Sequence, residues 1–84
     1  MADIKKIRQA YDIIRLDMHI SEITRIAGLP DSCVGTLDDG ILTWENSVWK
    51  GIFRGGTISR KVIIFTKGGK IVQFTSENLD VSNW

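Results

Sequence analysis

The stretch "DMHISEITRIAGLPD", residues 17–31, decides the fold. Ile20, Ile23 and Ile26 or Ala27 recur at helical spacing, and Gly28 followed by Pro30 closes the helix at once. Gly28 suits the left-handed conformation that ends a helix, and Pro30 bars its resumption. The helix that remains, Ser21 to Ala27, has barely two turns. Alone in water such a helix is unstable, because nucleation costs more than so few hydrogen bonds return. Its isoleucines therefore predict a docking surface elsewhere in the chain.

Upstream, Asp3 is placed to cap a first helix, and Ile4, Ile7, Tyr11 and Ile14 follow at spacings that line one face. Lys5, Lys6, Arg8, Gln9 and Asp12 fall mainly on the other side, so an amphipathic helix is expected from about residue 3 to about residue 15. Downstream the period changes from helical to alternating. The turn signals "DDG" at 38–40, "RGG" at 54–56 and "KGG" at 67–69 separate "SCVGTL", "ILTWENSVWKGIF", "TISRKVIIFT" and "KIVQFTS". These intervals are rich in β-branched and aromatic residues and predict four antiparallel strands. The order is that of an α+β domain, two N-terminal helices packed on one face of a four-stranded antiparallel sheet. With no repeat, linker or low-complexity segment, residues 1–84 are read as a single domain.

One helical layer cannot cover both faces of this sheet. Trp44, Val48 and Ile52 share one parity and Trp49 and Phe53 the other, while Val62 and Ile64 oppose Ile63 and Phe65. A bulge around Glu45, Asn46 and Ser47 would bring Trp44 and Trp49 to one side. Without it, an apolar patch is left on the second face, of the kind that marks a contact surface.

The run "IIRLDMHISEITRIAGLPDSC", the "TW" at 43–44 and "VIIFTKGGKIVQF" together resemble the helix-pair and antiparallel-sheet modules of β-lactamase inhibitory protein and of the SmpA/OmlA (BamE) lipoproteins. Met18, Glu22, Ile23, Gly28, Pro30, Trp44, Phe65, Gly69, Lys70 and Ile71 occupy the matching places, and the likeness spans roughly residues 11 to 79. Asp17 stands where the pattern has Gly, and His19 where it has a Ser or Thr cap. What the resemblance implies is a non-enzymatic protein-binding module that grips its partner with the exposed sheet face and adjoining loops. The lipoprotein members carry a leader and an acylated cysteine, which this sequence does not show. If the chain is complete, a cytoplasmic location is expected.

The remaining chemistry is sparse. His19 and Cys33 are the only residues of their kinds, too few for a structural zinc site, and no motif supplies the orienting group and oxyanion site that a nucleophile–base pair needs. They read as a histidine at the start of a helix and a small buried cysteine. No cofactor, metal or catalytic residue is assigned, and no apolar run has the length of a membrane span. Asp38 and Asp39 read as turn residues, as do the glycines of "RGGT" and "KGGK", which lack the strand-loop-helix context of a phosphate cradle.

Net charge is only +1, yet no acid occurs between Glu45 and Glu77, where Lys50, Arg54, Arg60, Lys61, Lys67 and Lys70 fall. Such a stretch fits either lysines guarding sheet edges or a footprint for an acidic partner. Trp44, Trp49 and Phe53 are therefore expected to anchor a protein partner, with Arg60 and Lys61 supplying charge complementarity. A homodimer through the same sheet competes with a foreign partner. The alternative class is a nucleotide or nucleic-acid binder that uses the basic hairpins.

Overall fold

The computed structural model describes residues 3–50 and 56–79, with side chains described for all of these except 48–50. Helices α1 (Ile4–Ile13) and α2 (Ile20–Ala27) precede strands β1 (Ser32–Gly35), β2 (Gly40–Lys50), β3 (Gly56–Lys67) and β4 (Lys70–Glu77). The strands lie side by side in chain order, each antiparallel to the next. The α+β arrangement read from the sequence is the one observed.

Each helix begins on a side-chain cap. Asp3 accepts from the Lys5 amide at 2.8 Å to start α1, and His19 Nδ1 accepts from the Ser21 amide at 3.1 Å to start α2. Gly28 closes α2 at φ 80°, its amide donating to the Thr24 carbonyl at 2.9 Å. Ile7 and Ala10 of α1 and Ile20 and Ile23 of α2 are buried, in one core with Leu42, Trp44, Val62, Ile64 and Ile71 of the sheet. The isoleucines of the short helix thus find their surface on β2, β3 and β4.

Backbone bonds fix the start of α2 as well. Asp17 donates to the Ile71 carbonyl at 2.8 Å, Ile71 to Met18 at 2.9 Å and Ile20 to Gly69 at 2.9 Å, so residues 17–20 lie along the first part of β4. This is why α1 stops at Ile13, two residues earlier than its apolar spacing predicts: the chain must turn to reach the edge of the sheet. Asp17 makes that turn with φ 67°, a left-handed conformation uncommon outside glycine. Gly69 sits where a Cβ would stand 3.1 Å from His19 Nε2 and adopts φ 80°, so the tight β3–β4 turn requires a glycine there.

Between β2 and β3 the register runs unbroken from Gly40 opposite Thr66 to Lys50 opposite Gly56. The alternative of a bulge near Glu45 is therefore not realised in the β2–β3 pairing. A bulge occurs instead in β4, where Thr66 pairs with Ile71 and Phe65 with Gln73, leaving Val72 as the extra residue. The bulge brings Ile71 and Phe74, of opposite parity in sequence, to the same covered face, where Phe74 meets Tyr11 edge-on at 5.9 Å.

Truncating Ile23 to Ala removes a side chain that is only 1% exposed and leaves a cavity in a thin core. Chemical denaturation should show a loss of ~2–4 kcal/mol. The replacement Asp17→Gly should act in the other direction, relieving the positive φ and raising stability by about 0.5–1 kcal/mol after the extra flexibility of the unfolded chain is offset.

Candidate protein-interaction surface

The two helices cover the face of Leu42, Trp44, Arg60, Val62, Ile64 and Ile71, and alternation puts the intervening residues on the other side. Register lines these up in rows: Val34, Ile41, Phe65 and Gln73; then Ser32, Thr43, Ile63 and Thr75; then Glu45, Lys61 and Glu77; then Ser47 and Ser59. In the first row Val34 is 67% exposed and Ile41 39%, and the bulged Val72 beside it is 49% exposed. Phe65 and Ile63 are half-buried by their neighbours in the sheet. The result is an apolar patch of Val34, Ile41, Ile63 and Phe65 that crosses β1, β2 and β3 and borders a charged row.

Three of the expected anchors need correction or cannot be placed. Trp44 is 1% exposed, wedged beneath the helix pair with its indole N–H donating to the Gly28 carbonyl at 3.1 Å, so it is a core residue and not a surface anchor. The β2 backbone continues through Trp49, opposite Thr57, but the Trp49 side chain lies outside the described residues, as does Phe53.

The charged pair divides between the faces. Arg60 is also 1% exposed and lies on the covered face, where its guanidinium donates to Asn46 Oδ1. Burial lowers its pKa from the ordinary value, and the nearby positive charge of Arg8 adds to that effect. Arg60 thus shares the face of Val62 and Ile64, but that face is covered. Lys61 is half-buried on the uncovered face, between Glu45 and Glu77 in register.

The polar residues at the opposite end of the sheet are occupied structurally. Asp39 Oδ1 accepts from the Gly68 amide at 3.0 Å, and the Asp38 carbonyl accepts from the Gly69 amide at 3.0 Å. The turn at 36–39 thereby clamps the "KGG" turn, and the amides that a phosphate would require are already bonded. His19 caps α2, with its Nδ1 also 2.8 Å from Ser21 Oγ. Cys33 is exposed on β1 rather than buried, because β1 is an edge strand that the helices do not reach. No group of three or more metal-binding side chains occurs among the described residues.

No family model, curated protein or solved structure matches this chain. Among the described residues the apolar space between helices and sheet, lined by Ile7, Tyr11, Ile23 and Trp44 among others, amounts to about 10 Å³, room for no more than a water. Larger hollows beside Arg8 and Leu79 and along Asp12–Met18 are open to solvent. A broad surface is thus the principal apolar feature on offer. No described helix is long and apolar enough to cross a membrane.

Sequence reasoning placed Ile63 and Phe65 opposite Val62 and Ile64 but missed Val34, Ile41 and Val72. The signal for Ile41 was present: Ile41, Thr43, Glu45 and Ser47 alternate with Leu42 and Trp44, and the more polar set marks the solvent side. For Val72 no local signal existed, since its position follows from the bulge.

Substitution separates the two basic residues. Arg60→Ala should destabilise the fold by ~2–4 kcal/mol, since it empties a buried site and removes the hydrogen bond to Asn46 Oδ1. Lys61→Ala should change stability by less than about 1 kcal/mol. Urea denaturation of both variants checks the division.

Proposed function

We propose that this chain is a small, non-enzymatic protein-binding module of inhibitor type that meets its partner through the uncovered sheet face. The carrying observation is the patch of Val34, Ile41, Ile63 and Phe65, which spans three strands on the face that neither described helix covers. A contiguous apolar area of this kind is disfavoured in water and is stabilised by a protein surface of matching shape. Ile63 and Phe65, at the centre of the sheet and already half-ordered by their neighbours, replace Trp44 as the anchors of the contact. Lys61, with Glu45 and Glu77 beside it, gives the rim its charge pattern. The reading keeps the binding role that the resemblance to inhibitor-type modules implies.

A nucleotide or nucleic-acid binder is the weaker reading. It needs basic and aromatic residues gathered on one accessible face, whereas Arg60 and Lys61 project to opposite faces and the Gly68 and Gly69 amides are engaged. An exposed free thiol at Cys33 suits a reducing compartment, and on that ground we place the module in the cytoplasm.

The test is capture. Immobilised protein is expected to retain a protein at near-stoichiometric yield from the source cell, either further copies of itself or a different chain. The double variant Ile63→Ser/Phe65→Ser, shown to be folded by circular dichroism, is expected to retain at least tenfold less. Equal retention by both forms would remove the sheet face from the contact, and retention of nucleic acid in place of protein would favour the weaker reading.

A further inference from the structure

We propose that the occupant of the uncovered face is a second copy of this chain, packed face to face about a two-fold axis parallel to the strands and midway between β2 and β3. The inference rests on the reading of that face as the contact surface and adds what covers it.

A two-fold contact is self-complementary: where residue i of one copy meets residue j of the other, j of the first also meets i of the second. An axis between β2 and β3 brings each registered pair of these central strands onto its own reverse. Glu45 stands opposite Lys61 in the register, so Glu45 of each copy meets Lys61 of the other, giving two contacts of opposite sign. The apolar row behaves likewise, because Ile41 is registered with Phe65 and each therefore meets the other's counterpart. Thr43 meets Ile63 in the same way. On the flanks, Val34 of β1 comes over Gln73 of β4, whose side-chain stem can lie along the exposed valine while its amide stays at the rim.

Other orientations lack this match. A two-fold axis across the strands at the Thr43–Ile63 row would set Glu45 and Lys61 over Ile41 and Phe65, placing charges on apolar side chains. The outer acids do not oppose the arrangement strongly: Glu77 comes toward Asp31, but both are exposed at the rim, and the Asp31 carboxylate already accepts from the Glu45 amide at 2.7 Å.

Area fits a modest affinity. Strands about 4.8 Å apart at about 3.3 Å per residue, with four residues from β1 and about seven from each of β2, β3 and β4, present roughly 400 Å² of plane. Counted on both copies this is roughly 800 Å², the size of a weak, transient contact. Aligned packing of two such sheets, with strands within about 30° of each other, is an ordinary way to bury two apolar faces.

Sedimentation velocity on the intact chain tests the arrangement, from about 10 µM to about 1 mM, the range in which an interface of this size dissociates. The wild type is expected to pass from monomer to dimer as concentration rises. Glu45→Lys and Lys61→Glu, each confirmed folded by circular dichroism, are expected to remain monomeric over the same range, because each creates two like-charge contacts between copies. An equimolar mixture of the two variants is expected to dimerise, because both contacts are again Lys against Glu. A wild type that stays monomeric, single variants that dimerise as it does, or a mixture that stays monomeric would each overturn the proposal. If the wild type is monomeric yet captures a different protein through Ile63 and Phe65, the second copy is overturned while the contact face stands. If neither self-association nor capture depends on the face, both fall.

Discussion

The side chain of Trp44 is the fixed point of the molecule. It fills the space between the short helix and the sheet, and its indole N–H satisfies the carbonyl of Gly28, where α2 ends and has no further turn to accept from. One residue thus supplies both apolar cover and a polar closure to a helix that has too few bonds of its own. The remaining core residues complete that contact: Ile20 and Ile23 from above, Leu42, Val62 and Ile64 from the sheet. An element of eight residues persists because its energy lies in packing rather than in its own ladder.

The same economy creates the molecule's asymmetry. Helices of ten and eight residues can cover one face of a four-stranded sheet and no more. The covered face takes the bulky set, and even a guanidinium is drawn in, held by Asn46 on the neighbouring strand. The other face is left with a mixture of apolar and hydroxyl side chains around an acid–lysine–acid row. That composition is a compromise between solubility of a free surface and adhesiveness of a contact. The far halves of β2 and β3 extend past β1 and beyond the pairing of β4, so among the described residues Ser47 to Lys50 and Gly56 to Ser59 pair only with each other within the sheet.

Much of this was legible in the chain. The turn glycines and the shift from helical to alternating periodicity located all six elements, and Gly28 with Pro30 located the end of α2. Parity correctly separated Val62 and Ile64 from Ile63 and Phe65. What parity alone left open was which set faces the helices, and the aromatic bulk of Trp44 drew it to the wrong side. Arg60 misled for a different reason: an arginine next to a lysine reads as surface charge, while its burial follows from the register that puts Asn46 opposite it. The β4 bulge was illegible because a bulge is a response of two strands to each other and leaves no mark in the sequence of either.

The backbone contacts that tie residues 17–20 to the start of β4 also constrain the order of events during synthesis. The strands form a meander in which every neighbour in the sheet is a neighbour in the chain, so each hairpin closes a short loop at low entropic cost. The helix pair precedes the strands, and its platform is incomplete until Ile71 has been added, some fifty residues after Met18. A ribosome making this protein therefore carries an isoleucine-rich segment without its full cover while the strands are synthesised, and the β3–β4 hairpin is the event that completes its shelter.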